Sequence, residues 1–199
     1  MKKILLAGIV GGLVVFVWGF VAHMLLPVGT MGISQMPVNS PLLEAMKQNL
    51  AVEGLYAFPG EEVGRKQTEA EDAVWIGRYK MGPRGLLLYH PTGTDPVSPQ
   101  RLVLELATDV SAALVLAWLL TALGGSIGAQ VRFAVIAGVF GWISINVAYW
   151  NWYGFPCAFI LGELIDQVVG WGLAGLAMAL LWRGLEKRAL RRGERVWET

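Results

Sequence analysis

Apolar positions along this chain fall into runs of two kinds. Four runs are long and almost free of charge, covering residues 4–26, 102–123, 133–152 and 157–182. Each is near the ~20 residues that carry an α-helix across a bilayer. The stretch 28–101 between the first two has shorter patterns. In "SPLLEAMKQNLAVEG", Leu42, Leu43, Met46, Leu50 and Val52 form an apolar side. Ser40 stands as the N-cap, Pro41 fits the first turn, Glu44 supplies a capping box and Gly54 a stop. "TEAEDAVWIGRYKMGP" reads as a second helix: Thr68 and Glu71 make the box, acids crowd the first turn, and Gly82-Pro83 ends it. "GLYAFPG" and "GLLLYHPTG" are short, aromatic and bounded by Gly or Pro, as strands of a small sheet are. A connection this long needs structure of its own. The expected fold is therefore an all-α integral membrane four-helix bundle, with a small extracytoplasmic α/β cap inserted between helices 1 and 2.

Polar residues inside the long runs are ordered. "FILGELIDQVVGWGLAG" places Glu163, Asp166 and Gln167 in the fourth run, and Glu163, Asp166, Gly170, Ala174 and Ala177 share one helical face. The second run repeats the arrangement with Glu105, Asp109, Ala113, Ala117 and Thr121, and the first with Gly8, Gly12, Gly19 and His23. In the third, Gly138, Gly141 and Ser144 precede Asn146 in looser alignment. Small residues let membrane helices approach closely, and ionisable groups at membrane depth face the bundle interior or a wet cavity. The stripes predict a bundle that is tight at one end and opens at the other into a polar pocket. His23, Glu105, Asp109, Asn146, Glu163 and Asp166 would line it.

Depth gives the pattern weight. A helix rising ~1.5 Å per residue from Cys157 carries Asp166 about 14 Å down, near the bilayer middle. An acid there costs about 2.5–3.5 kcal/mol on insertion scales. A competing reading starts the fourth span at Ile165, leaving roughly 18 residues to cross and Glu163 at the interface. Asp109 resists it, because few apolar residues separate that acid from "GGSIG". Asp109 and Asp166 are expected to project toward each other, with Glu163 and His23 nearby. Like charges so close oppose ionisation of both acids unless a cation occupies the site.

Composition fits this picture: 199 residues, 55% hydrophobic and 16% charged. The net charge of +1 hides an asymmetry. Lys2 and Lys3 precede the first run, Arg132 sits in the link between the second and third, and Arg183, Lys187, Arg188, Arg191, Arg192 and Arg195 come after the fourth. Arg84 and Arg101 are the nearest basic residues on the other side. Counting them predicts a multi-pass protein of the cell membrane with both termini in the cytoplasm. The rings of "YWNWYGFP" then anchor an outer turn. The expected organisation is helix 1 over 1–27, an extracytoplasmic cap over 28–101, helices 2–4 over 102–182 and a basic cytoplasmic tail over 183–199. Helix 1 reads as an uncleaved anchor, because its apolar run exceeds the about 7–15 residues of a signal peptide and no small-x-small site comes after it. The tail reads as an interfacial helix drawn to anionic lipid, with too little basic surface for nucleic acid.

Chemical motifs are scarce. The single cysteine, Cys157, excludes an intramolecular disulfide and reads as a small packing residue. His90, beside Tyr89, reads as a hydrogen-bonded structural histidine. There is no phosphate-binding glycine loop, paired-histidine zinc motif or nucleophile elbow, which disfavours the enzyme classes that carry them. Carboxylates with a histidine suit a divalent metal such as Zn, Fe or Mn, for which His23, Asp109, Glu163 and Asp166 are the candidates. The Glu-x-x-His pairs of di-iron bundles are missing, and only His23 and His90 are available to haem. Three functions stand in order. First is an accessory or binding subunit for an ion, a small ligand or a partner membrane protein. Second is a proton- or ion-coupled transporter working as a homo-oligomer, since no inverted repeat is visible. A membrane enzyme with a carboxylate–histidine metal centre comes third.

Overall fold

The computed structural model describes residues 1–61, 64 and 66–193. In chain order its elements are α1 (Lys2–Phe20), α2 (Pro41–Asn49), β1 (Gly54–Phe58), α3 (Glu69–Met81), β2 (Gly85–Tyr89), α4 (Pro99–Leu123), α5 (Ile127–Trp142), α6 (Ala148–Tyr153) and α7 (Cys157–Arg191). A π-helical turn, Val21–Leu25, and a 3-10 turn, Pro27–Thr30, come after α1, and a second π turn, Ile143–Val147, joins α5 to α6. The chain divides into two compact units. One holds Met1–Ile33, Val97–Asn151 and the residues from Phe155 onward, and the other holds Ser34–Pro96 with Trp152–Gly154.

Four helical stretches among the described residues are long and apolar enough to cross a membrane: Lys2–Leu25, Pro99–Leu123, Ile127–Tyr153 and Cys157–Arg191, and all but Trp152 and Tyr153 belong to the first unit. Two boundaries differ from the sequence reading. Arg132 lies on α5 rather than in a link, because Ser126 starts that helix early: its Oγ accepts the Ala129 N–H at 3.3 Å. The fourth helix runs on to Arg191, so Arg183, Lys187 and Arg188 ride on it. Arg195 lies outside the described residues.

Helix α1 packs between α4 and α7, and α7 packs between α1 and α5. The core is built of small side chains, with Ala7, Ala113, Ala117, Ala134 and Ala174 fully buried around Leu120, Met178 and Trp182. It sits at the end of the unit that carries Lys3, whose carbonyl accepts the Trp182 indole N–H at 3.3 Å. Large aliphatic residues point the other way: Leu5, Leu13, Val17, Val115, Ile136, Leu173 and Leu180 are exposed. Gly12 shows why small residues hold the seam. A Cβ there would lie 2.5 Å from the Val110 Cα, so a side chain would force the two backbones apart.

In the second unit, β1 and β2 pair antiparallel, with Gly54 opposite Tyr89 and Phe58 opposite Gly85. The rings of Tyr56 and Tyr89 meet edge to face at 6.4 Å, a favoured geometry for aromatic pairs. Helix α3 begins with the expected capping box: Thr68 Oγ1 accepts the Glu71 N–H, and Glu71 Oε2 accepts the Thr68 N–H at 2.8 Å. Helix α2 does not form one. Ser40 Oγ accepts the Leu42 N–H at 3.3 Å, but Glu44 stands one position beyond the place from which it could reach back, and it accepts from Gln48 instead. That helix ends at Asn49, short of Gly54, which is taken by the sheet. His90 Nδ1 lies 3.3 Å from Glu53 Oε2, in keeping with a hydrogen-bonded structural role.

Candidate functional site

The stripes of the first unit split in two. Their small members, Gly8, Gly12, Ala113, Ala117 and Ala174, are buried in the packed end. Toward the other end the helices part around a cleft of about 700 Å³ lined by α1, α4, α7 and the π turn after α1. His23, Glu105, Asp109 and Asp166 all line it. Asp109, from the second long helix, and Asp166, from the fourth, thus line one cleft.

His23 sits in the π turn Val21–Leu25. One wide turn re-aims the side chains beyond it, and such turns collect at functional positions. The chain then doubles back through Pro27–Thr30 and lays the backbone of Gly29 against the imidazole. A Cβ on Gly29 would collide with His23 Nδ1. Held this way, His23 Nε2 lies 3.9 Å from Asp166 Oδ2, beyond hydrogen-bond length, and the contact is ionic only when the ring is protonated. Oδ1 of Asp166 is buried without a hydrogen-bond partner, and so is the Trp18 indole N–H in the same lining. Unpaired buried polar atoms are uncommon and call for a water or a ligand.

Asn146 and Glu163 are not among the lining residues. They pair with each other, the Asn146 amide donating to Glu163 Oε2 at 3.3 Å. Asn146 also lies in a π turn, Ile143–Val147, together with Ser144. Glu163 precedes Asp166 by three positions, which is about 60° around a helix of 3.6 residues per turn. That rotation carries it toward α5. Among the described residues no group of three or more His, Cys, Asp and Glu side chains is close enough to hold a metal ion. Cys157 is exposed, contrary to its expected packing role; as the first residue of α7 it stands beyond the reach of the core.

Spacing alone missed the aromatic wall. Phe16, Trp18, Phe20 and Trp171 line the cleft beside the acids. The available signal was "FVWGF" at 16–20, with a Trp well inside the run rather than at its interfacial ends. Gln167 also joins the wall, its Oε1 accepting the Trp171 indole N–H at 2.9 Å. Comparison with protein-family models, with curated proteins and with solved structures returns no match.

Proposed function

We propose that this chain is a small polytopic membrane protein of the accessory or binding type. Its four long helices form an integral membrane bundle with both termini in the cytoplasm. Its second unit is an extracytoplasmic segment, and its cleft opens outward to hold an ion, a small ligand or part of a partner membrane protein. The observation that carries the reading is the convergence of His23, Glu105, Asp109 and Asp166 from three long helical stretches on one cleft. Ionisable groups inside a membrane are costly, and apolar replacements often hold a bundle at least as well. Their grouping therefore supports binding more than scaffolding.

Two further features support the membrane reading. Aliphatic side chains cover the outside while alanine and glycine fill the seams, the pattern expected where lipid is the solvent. Basic residues gather at one end of the long helices, as the positive-inside rule requires of a cytoplasmic face.

Thermal unfolding of the purified protein with a panel of metal ions and small cationic compounds tests the binding function. At least one should stabilise the native chain in a dose-dependent way, and both Asp109→Asn and Asp166→Asn should abolish the effect. In a Cys157→Ala background, Gly19→Cys tests the outward opening, because Gly19 lines the cleft and a Cβ there meets nothing within 4 Å. A membrane-impermeant maleimide should label it from outside. No stabilising compound, together with an unreactive thiol at 19, would overturn the reading.

A further inference from the structure

We infer that the cleft recognises a protonated amine carried on an apolar body, an inference that rests on the binding reading and names its ligand class. The lining contains the carboxylates of Glu105, Asp109 and Asp166 and, among the described residues, no Lys or Arg. Such a wall attracts a cation and repels an anion. Its remaining surface is mostly apolar and includes the rings of Phe16, Trp18, Phe20 and Trp171. Aromatic side chains favour an organic ammonium, which sheds its water more readily than a small inorganic ion.

Bare metal fits less well. A divalent ion needs several oxygen or nitrogen ligands gathered at about 2.0–2.6 Å. No three ligating side chains among the described residues are so gathered. The cleft, at about 700 Å³, is also far larger than one ion needs and falls within the range that holds a small organic molecule. Asp166 supplies the anchor. Its side chain is 25% exposed, Oδ2 lies 3.9 Å from the His23 ring, beyond hydrogen-bond length, and an ammonium N–H would make a charge-assisted bond there. A protonated amine answers the excess negative charge and the aromatic side chains together.

Calorimetric titration of the full-length protein in detergent tests this with compounds sharing one skeleton: 4-phenylbutylamine, 4-phenylbutanol and 4-phenylbutyrate, and with Mn²⁺ beside them. The amine should bind saturably and at least about tenfold more tightly than the alcohol, with no binding of the carboxylate, since each tenfold is one well-formed charged contact. Asp166→Asn should weaken the amine about tenfold and leave the alcohol unchanged. Phe20→Ala, which removes an exposed ring of the wall, should weaken amine and alcohol together. Asp109→Asn serves as the second charge variant should Asp166→Asn fail to fold, with circular dichroism as the check.

An alcohol that binds as well as the amine overturns the inference, as does amine binding indifferent to a folded charge variant. Should Mn²⁺ bind saturably in an Asp166-dependent way while the amine does not, the binding reading stands and the amine falls. If no probe responds to any cleft variant, both fall. Phosphatidylethanolamine added to the micelles separates the two sources of such an amine. Competition with the probe identifies a lipid headgroup, and its absence identifies a free amine; either agrees with the inference.

Discussion

At the scale of single residues, the two ends of one glycine stripe behave differently, and that difference can be measured. Gly12→Ala forces a methyl against the Val110 backbone and should destabilise the first unit by about 1–3 kcal/mol, the usual cost of overpacking. Gly19→Ala meets nothing within 4 Å and should be neutral or slightly stabilising, because alanine is the better helix former. Thermal unfolding of both variants in detergent decides the comparison; equal losses would show that the seam does not depend on the close approach at Gly12. Spacing revealed that both glycines share a face. It could not reveal how far the neighbouring helix stays alongside, which depends on where α4 and α7 diverge. Trp18 and Phe20 escaped notice for a related reason: inside a hydrophobic run a ring counts as one more apolar residue until a cavity appears beside it.

Among the elements, capping chemistry was the most legible, because it is local. The interval from Thr68 to Glu71 closes a reciprocal box, and Thr68→Ala should cost about 0.5–2 kcal/mol of local stability. Faster hydrogen exchange at the Glu71 amide is the expected readout. The interval from Ser40 to Glu44 is one residue longer and closes nothing, so a single position separates a cap from an i,i+4 side-chain pair with Gln48. The strands could be anticipated from the aromatic runs but not their pairing or register, which required Gly54 to be seen opposite Tyr89. The π turns at Val21–Leu25 and Ile143–Val147 had no marker in the sequence at all. Each widens one turn and rotates the side chains beyond it, so a face drawn with a constant 3.6-residue period fails there. Asn146 shows the result. Its bond to Glu163 should give a coupling of about 0.6 kcal/mol in a double-mutant cycle of Asn146→Ala with Glu163→Ala, a typical value for polar pairs between membrane helices. A coupling of zero would mean the two side chains part in solution.

For the whole molecule, the orientation proposed from Lys and Arg placement makes a direct prediction. In a Cys157→Ala background, Gly60→Cys should react with an impermeant thiol reagent added outside intact cells, and Glu194→Cys only after permeabilisation. Labelling of both from one side would contradict the four-span arrangement. Glu194 lies outside the described residues, so this prediction rests on the charge pattern alone. The order of the long helices in space has a consequence in time. Helix α1 is made before α4, its first broad partner, yet Asp166, Gln167, Gly170 and Trp171 reach the cleft only with α7, which is synthesised after both. Until the ribosome has finished α7, Asp109 has no fourth-helix neighbour. A nascent chain stopped after α5 therefore carries Glu105 and Asp109 of the cleft lining without Asp166, and α7 sets the moment at which the wall closes.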